Sequence, residues 1–386
     1  MAGTFEPFHE QDRPLNILLS DSTDIFAGGE DYVLILAKYL ARRGHAVWVS
    51  ANPGHLLLKK CEESGIRTIP IPYTGMSRVF NVAAMLRAAL REHAIEIVHS
   101  NANYDRTCAA LAAALQPVRH IAGIHSAHSI QHNITHWMRN RFGVDQFIAD
   151  AEAVKSVLVH EDKIPASRIT VVPIGVESGI TGDRAGIRAA MRAELGIADG
   201  TIAVGNVARL VPFKGHQCLL DAAALVLRDR TDIIFPIVGD GELLETLRAQ
   251  ACSLGIERQV QFLGFRDDLD RLYTAFDIYC HSSLELAAEA FPLAILRALA
   301  AGLPAVCTNV GGIAMMVEDG ISGYLCPPDN PVPLGEALLK VIKHPALRES
   351  MGRASLDLFT RRFHAEAMAG KVEKVYEAAL DKGGRT

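Results

Sequence analysis

Short apolar runs rich in β-branched residues alternate along this chain with longer segments whose apolar positions recur near a 3.6-residue period. The runs Asn16–Ser20, Ala46–Ser50, Arg67–Ile71, Ile95–His99, His120–Ile124, Gln146–Ala149 and Ile169–Val172 predict strands. Between the first two, Asp31–Arg43 sets Leu34, Leu36, Ala37 and Leu40 toward one helical face, and Gly44-His45 supplies the C-terminal stop. Pro173-Ile174-Gly175 breaks the pattern, and polar Ser178–Gly186 reads as a hinge. The pattern then restarts with strands at Ile202–Asn206, Ile233–Val238, Val260–Leu263, Ile278–His281, Ala305–Thr308 and Gly323–Leu325. Helices are expected at Lys214–Leu227, Glu242–Leu254, Asp267–Ala275, Glu289–Ala301, Pro333–Ile342 and Ala365–Leu380. Such alternation implies an α/β fold of parallel sheets covered on both faces by helices. The expected architecture is two doubly wound domains facing a central cleft, with ligand at the carboxyl ends of the strands. Expected boundaries are a lead at 1–14, domains at 15–175 and 176–360, and a C-terminal helix at 361–386 that crosses back to the first domain.

Composition narrows the function classes. At 386 residues the chain exceeds one ordinary core, and 49% apolar with 22% charged residues excludes a disordered class. A formal net charge of −5 gives no reason to expect a nucleic-acid partner. Seven cysteines without any CxxC fit a reducing compartment and argue against structural zinc. The first dozen residues are acidic and lack an apolar signal core. The most apolar long stretch, Ala298–Val317, is interrupted by Pro304, Asn309 and Gly311-Gly312, so it is not expected to span a bilayer. A soluble cytoplasmic protein is expected.

Several segments could carry chemistry. Gly28-Gly29 follows the first strand and opens a helix, which suits close approach of an anionic ligand, although a plain strand-to-helix turn would look the same. Gly239, in Val238-Gly-Asp-Gly241, has the same character but completes no dinucleotide fingerprint. Arg209 and Lys214 lie five residues apart on a loop after a strand, where they could clamp a diphosphate or simply be solvated. Glu289 opens a helix, favoured there by the dipole, and could accept sugar hydroxyls. Asp268 and Asp270 resemble a metal-binding DxD but fall at the start of a surface helix. His128, His132 and His136 recur at i, i+4 with no cysteine or carboxylate among them, so no metal site is expected.

The segments VARLVPFKGH, FPIVGDGELLETL, VQFLGFRDDLDRLYTAFDIY, EAFPLAILRALAAGLPAV and TNVGGIAMMVEDGISGYLCPPDN occur in this order in the second half. Together they resemble the retaining GT-B glycosyltransferases of the group 1 type, glycosyltransferase family 4. In the first half NILLSDSTDIFAGGEDYVLILAKYLARRGH and the strand ending Gly123-Ile124-His125 are similar but looser. The resemblance runs from Asn16 to about Leu380 and implies two Rossmann-like domains, the first on the acceptor side and the second on the donor side.

The resemblance also implies roles. Arg209 and Lys214 match the pair that neutralises the diphosphate of a nucleotide sugar. Glu289 matches the first glutamate of the EX7E motif, which contacts the transferred sugar. Phe291 and Leu293 offer backbone amides to the donor, whereas Pro292 has none. Gly264, Phe265 and Arg266 correspond to the turn that holds the base, and Gly239 is counted with them as donor-binding. His125 matches a histidine near the sugar, and Gly28-Gly29 the loop near phosphates and acceptor. Position 297, where the family carries its second glutamate, is Arg297, which has no acceptor for ribose hydroxyls. Either the ribose is held differently, or the donor differs, or activity is weakened. Two turns after Glu289 on the same helix face, Arg297 is expected to point into the cleft and contact the donor nucleotide, the alternative being a side chain swung out to solvent.

The implied reaction is metal-independent transfer of a sugar from a nucleotide diphosphosugar, a substrate and not a cofactor, to a hydroxyl with retention. With no carboxylate placed as a nucleophile, a front-face route is favoured over double displacement. The implied acceptor is a glycan or lipid-linked molecule of cell-envelope polysaccharide, lipopolysaccharide or glycolipid synthesis. Ser129–Phe142 is a candidate interfacial helix for peripheral contact with the cytoplasmic membrane face, against the plain alternative of a packed helix. Competing readings are a catalytically silent nucleotide-sugar-binding homologue, a GT-B-like epimerase, or a phosphorylase, which would need a longer chain and a pyridoxal lysine. Oligomeric state, base and sugar stay open.

Overall fold

A computed structural model describes residues 13–23, 28–75, 78–126, 128–179, 182–284 and 291–381. Thirteen strands appear among them: β1 Asn16–Ser20, β2 Ala46–Ala51, β3 Arg67–Pro70, β4 Ile97–Ser100, β5 Arg119–Ile124, β6 Gln146–Ala149, β7 Ile169–Val171, β8 Ile202–Val207, β9 Ile233–Val238, β10 Val260–Phe262, β11 Ile278–His281, β12 Ala305–Thr308 and β13 Gly323–Cys326. They form two sheets, in the orders β3-β2-β1-β4-β5-β6-β7 and β10-β9-β8-β11-β12-β13. Ile17 of β1 sits beside Val47 and Ile97, and Tyr279 of β11 beside Ala305 and Gly205, all in parallel register. Each sheet is therefore α/β and doubly wound, and its order reverses once, between β1 and β4 in the first and between β8 and β11 in the second. At such a reversal the two flanking connections leave in opposite directions and open a crevice at the carboxyl ends.

Chain contacts divide the molecule into two compact units. One holds residues 1–124, 130–148 and 372–386, the other 125–129 and 149–371. Within the first, Leu18, Val98, Cys108, Leu86 and Val82 form a buried core between sheet and helices. Within the second, Val204, Phe235, Ile278, Val306, Leu219 and Leu338 do the same. These strands read as continuous apolar runs because both faces are covered.

The part of the last helix, Ala365–Asp381, that belongs to the first unit, from Val372 on, is held there by polar contacts no local pattern announces. Glu373 accepts from Arg43 Nε at 2.8 Å and meets His45 Nε2 at 2.6 Å, and Tyr376 OH lies 2.7 Å from His99 Nδ1.

Some elements differ from expectation. The polar stretch read as a hinge gives way at Arg184 to a helix, Arg184–Glu194, whose Asp183 cap accepts from Gly186 N. The helix expected from Lys214 begins at His216, because Pro212–Lys214 first makes a tight 3₁₀ turn closed by Gly215 at φ +64°. Ser129–Phe142 is not one helix. Asn133 caps a single turn, Ile134–Met138, by accepting from His136 N, and a wider π turn, Arg139–Gly143, follows. His128 and His132 thus precede the helix and share no helical face, although the His132 and His136 rings still meet edge to face at 5.6 Å. The π turn is pinned by Arg139, which donates to Asn103 Oδ1 at 2.8 Å and Thr107 Oγ1 at 3.0 Å.

Candidate active site

The reversal point of the second sheet is built by three loops that clip to one another through backbone groups. After β8, Ala208 N donates to Val238 O (3.0 Å) and Leu210 N to Asp240 O (2.9 Å), while Leu243 N returns to Leu210 O (3.0 Å). After β11, Leu284 N donates to Phe213 O at 2.8 Å, and Ser282 Oγ to Lys214 O at 3.0 Å. Asn206, buried at the end of β8, ties the two central strands by donating to Cys280 O at 2.9 Å.

The close approach explains the glycines. A Cβ on Gly239 would sit 2.0 Å from Ala208 O, one on Gly241 2.5 Å from Leu210 O, and one on Gly215 2.0 Å from Ser282 O. The protein's own packing therefore requires Gly239, whatever binds beside it.

On this frame stand the two cations. Arg209 Cζ lies 6.0 Å and Lys214 Nζ 5.4 Å from the centre of the same ring, Phe213, so one aromatic side chain gathers both charges. Arg209 is exposed and has no carboxylate partner among the described residues. Next to them His216 is buried at the helix start, where burial first, then His281 and Lys214, push its pKa down to about 3. It stays neutral, so the positive field of the loop comes from Arg209 and Lys214.

The remaining donor-side candidates are distributed as follows. Gly264, at φ +67°, accepts from Gly239 N at 2.8 Å and turns the chain after β10, leaving Phe265 80% exposed. Arg266 is committed to Asp268, through Nε at 2.8 Å and Nη2 at 2.7 Å, and to Glu194 at 2.8 Å. Phe291 is buried against Phe363, and Leu293 opens the helix Leu293–Ala300 behind Pro292. Glu289 lies outside the described residues.

Arg297, on that helix, donates to Asp270 Oδ1 at 2.9 Å. Asp270 is in turn wedged against Gly179, where a Cβ would lie 2.0 Å from its carboxyl carbon. Glu177, Tyr273, Ala300 and Ala301 complete this small recess. Both carboxylates of the DxD-like pair thus face guanidinium groups, Asp268 that of Arg266 and Asp270 that of Arg297. Among the described residues no three His, Cys, Asp or Glu side chains converge as a metal site would need.

At the reversal point of the first sheet, Gly28 and Gly29 begin the helix Gly28–Arg42, and a Cβ on Gly29 would meet nothing within 4 Å. The adjoining turn is organised by Asp105, a residue the sequence did not single out. It accepts from Ser20 Oγ and Ser22 Oγ, both at 2.9 Å, and from Asn101 N and Ala102 N at 3.0 Å. Burial first, then Asp21, raise its pKa to about 7 against the pull of those donors. His125 follows β5, with Nδ1 3.7 Å from Asp150 Oδ2.

Two family models match this chain, glycosyl transferases group 1 over residues 187–357 and glycosyltransferase family 4 over 26–179. The chain belongs to the group 1, family 4 glycosyltransferases. Relatives of this chain include the D-inositol 3-phosphate glycosyltransferase of Segniliparus rotundus, 32% identical over 246 residues, 62% of this chain and 53% of the relative. The phosphatidyl-myo-inositol mannosyltransferase of Mycobacterium tuberculosis is 26% identical over 382 residues, 94% of this chain and 96% of its own. The alignment with the first of these, like that with its Corynebacterium glutamicum counterpart, spans only about half of the relative's length. Among solved structures, Anabaena HepE in complex with UDP superimposes with a TM-score of 0.82 at 22% identity, covering 94% of this chain and all of that one. A glycosyltransferase from Rickettsia africae gives 0.83 at 19% identity, covering 96% and 100%. The fold of this chain is thus GT-B, with two Rossmann-like sheets.

Proposed function

We propose that this glycosyltransferase moves a sugar from a nucleotide diphosphosugar to a hydroxyl acceptor with retention at the anomeric carbon and without a metal ion. The observation that carries this reading is the pairing of Arg209 and Lys214 over Phe213, on a loop locked at the reversal point of the second sheet. Negative charge grows on the diphosphate as the glycosidic bond breaks, and two preplaced cations stabilise that charge more than the ground state. In this reading the leaving phosphate takes the acceptor proton, Glu289 and His125 contact the transferred sugar, and Gly264 to Arg266 border the base.

A panel of nucleotide sugars tests it. Uridine diphosphosugars come first, because Anabaena HepE was solved with UDP and with UDP-glucose. Release of the nucleoside diphosphate by the purified chain, and an axial or equatorial product linkage read by proton coupling, decide donor and stereochemistry. Inversion, or no turnover with any donor, would refute the proposal. The pairing of Arg297 with Asp270 favours a second reading, a homologue that binds a nucleotide sugar without turning it over. Donor binding by calorimetry with no product in the same panel would select it.

The acceptor in this reading is glycan or lipid-linked and belongs to cell-envelope synthesis at the cytoplasmic membrane face. Exposed Ile134, Trp137, Met138 and Phe142, with Arg141 stacked 5.4 Å over Phe142, suit shallow contact with anionic lipid. Flotation with vesicles containing anionic lipid, abolished by Trp137→Ser with Phe142→Ser, is the expected result.

A further inference from the structure

Asp150 directly follows β6 as His125 follows β5, and the two strands are neighbours in the sheet. The carboxylate is 2% exposed, and neither oxygen has a hydrogen-bond partner among the described residues. A polar group so placed costs folding free energy unless it is satisfied in another state of the molecule. What it faces is the imidazole of His125, whose Nδ1 is 3.7 Å from Oδ2. That separation exceeds a hydrogen bond by about 0.7 Å, and catalytic contacts of this kind are commonly long without ligand and tighten when one binds. The segment carrying His125 is anchored on the same side, since Ser129 Oγ donates to Asp162 Oδ1 at 2.5 Å.

We infer that Asp150 is a positioning residue for His125, accepting from Nδ1–H and so fixing the tautomer and direction in which Nε2 meets the ligand. The orientation of the second ring nitrogen by a carboxylate on the first is what sets the role of a histidine. The inference rests on the reading of His125 as a sugar contact, but the Asp150–His125 pair can be tested apart from it. No covalent step is assigned to either residue.

The test uses the full chain with ¹⁵N-labelled histidine, the His125 signals being assigned by their loss in His125→Gln. Long-range proton–nitrogen spectra of wild type are expected to show the Nδ1–H tautomer. In Asp150→Ala that preference is lost, and Asp150→Asn, which keeps an acceptor and the volume, restores it in part. In the same variants kcat with the donor found by the panel is expected to fall about 10- to 100-fold, the scale of an outer-shell partner, with donor KM within about twofold. Unchanged His125 nitrogen shifts in both variants overturn the pairing, even if the chain proves to transfer no sugar. A lost tautomer preference with wild-type kcat overturns the positioning role. If the wild type turns over no donor, the function proposed above fails, and the spectra still decide the pairing.

Discussion

Arg209→Ala is the most direct test of the diphosphate clamp, because the structure separates its effect on chemistry from its effect on folding. The Arg209 guanidinium is exposed and lies over the Phe213 ring of its own loop, 6.0 Å from the ring centre. An exposed cation–π contact contributes about 0.5–1 kcal/mol. The loop itself is held by Leu210 N to Asp240 O, Leu243 N to Leu210 O and Leu284 N to Phe213 O, none of which the truncation removes. The melting temperature should therefore fall by no more than about 2–4 °C, the shift that 1 kcal/mol produces in a domain of this size. Losing one preorganised charge from a developing oxyanion costs about 2.7–4 kcal/mol in the transition state. At about 1.36 kcal/mol per decade that is a 100- to 1,000-fold drop in turnover. Lys214→Ala should match it, and the double variant should lose less than the product of the two, since both charges serve one diphosphate. Release of nucleoside diphosphate under saturating donor is the assay, with thermal unfolding run in parallel. Wild-type turnover in Arg209→Ala or in Lys214→Ala, with an unchanged melting temperature, would show that the clamp is misplaced.

Other outcomes follow from the same geometry. If protein cations carry the leaving-group charge as proposed, turnover should survive excess EDTA; complete loss restored by a divalent ion would reassign Asp268 and Asp270. Arg297→Glu should destabilise the fold by about 1 kcal/mol, because a partly exposed ion pair at 2.9 Å becomes a repulsion with Asp270, and Asp270→Lys should relieve the loss in a double-mutant cycle. Asp105 keeps its proton up to about pH 7 when folded but releases it near 3.8 when unfolded, so the folded state binds more protons across that window. Stability should then decline as pH rises from about 4 to about 7, and Asp105→Asn should flatten the decline while lowering stability at pH 5, where its amide would face the N–H groups of Asn101 or Ala102; denaturant titrations at several pH values check both.

Much of this molecule is legible in its sequence for a plain reason. A strand covered on both faces must be apolar throughout, so β1, β2, β6, β8 and β9 announce themselves as short runs such as Ile233–Val238. Arg209 and Lys214 stand within six residues on one strand-to-helix loop, so their nearness to each other is legible locally. Strand order and the two reversal points are not local, and only the folded sheets set them. The partners decided by tertiary structure are the distant ones. Arg297 could be recognised as a departure from its family, but its engagement by Asp270, 27 residues earlier, depends on how two helices pack. Gly239 could be flagged as ligand-facing, whereas the contact that excludes a side chain there is the carbonyl of Ala208. Asp150 drew no notice as one acidic residue after an apolar run, and Asp105 none inside a helix. Side chains that are polar and buried acquire meaning only from what the fold sets beside them, because their energy depends on partners that linear spacing does not encode.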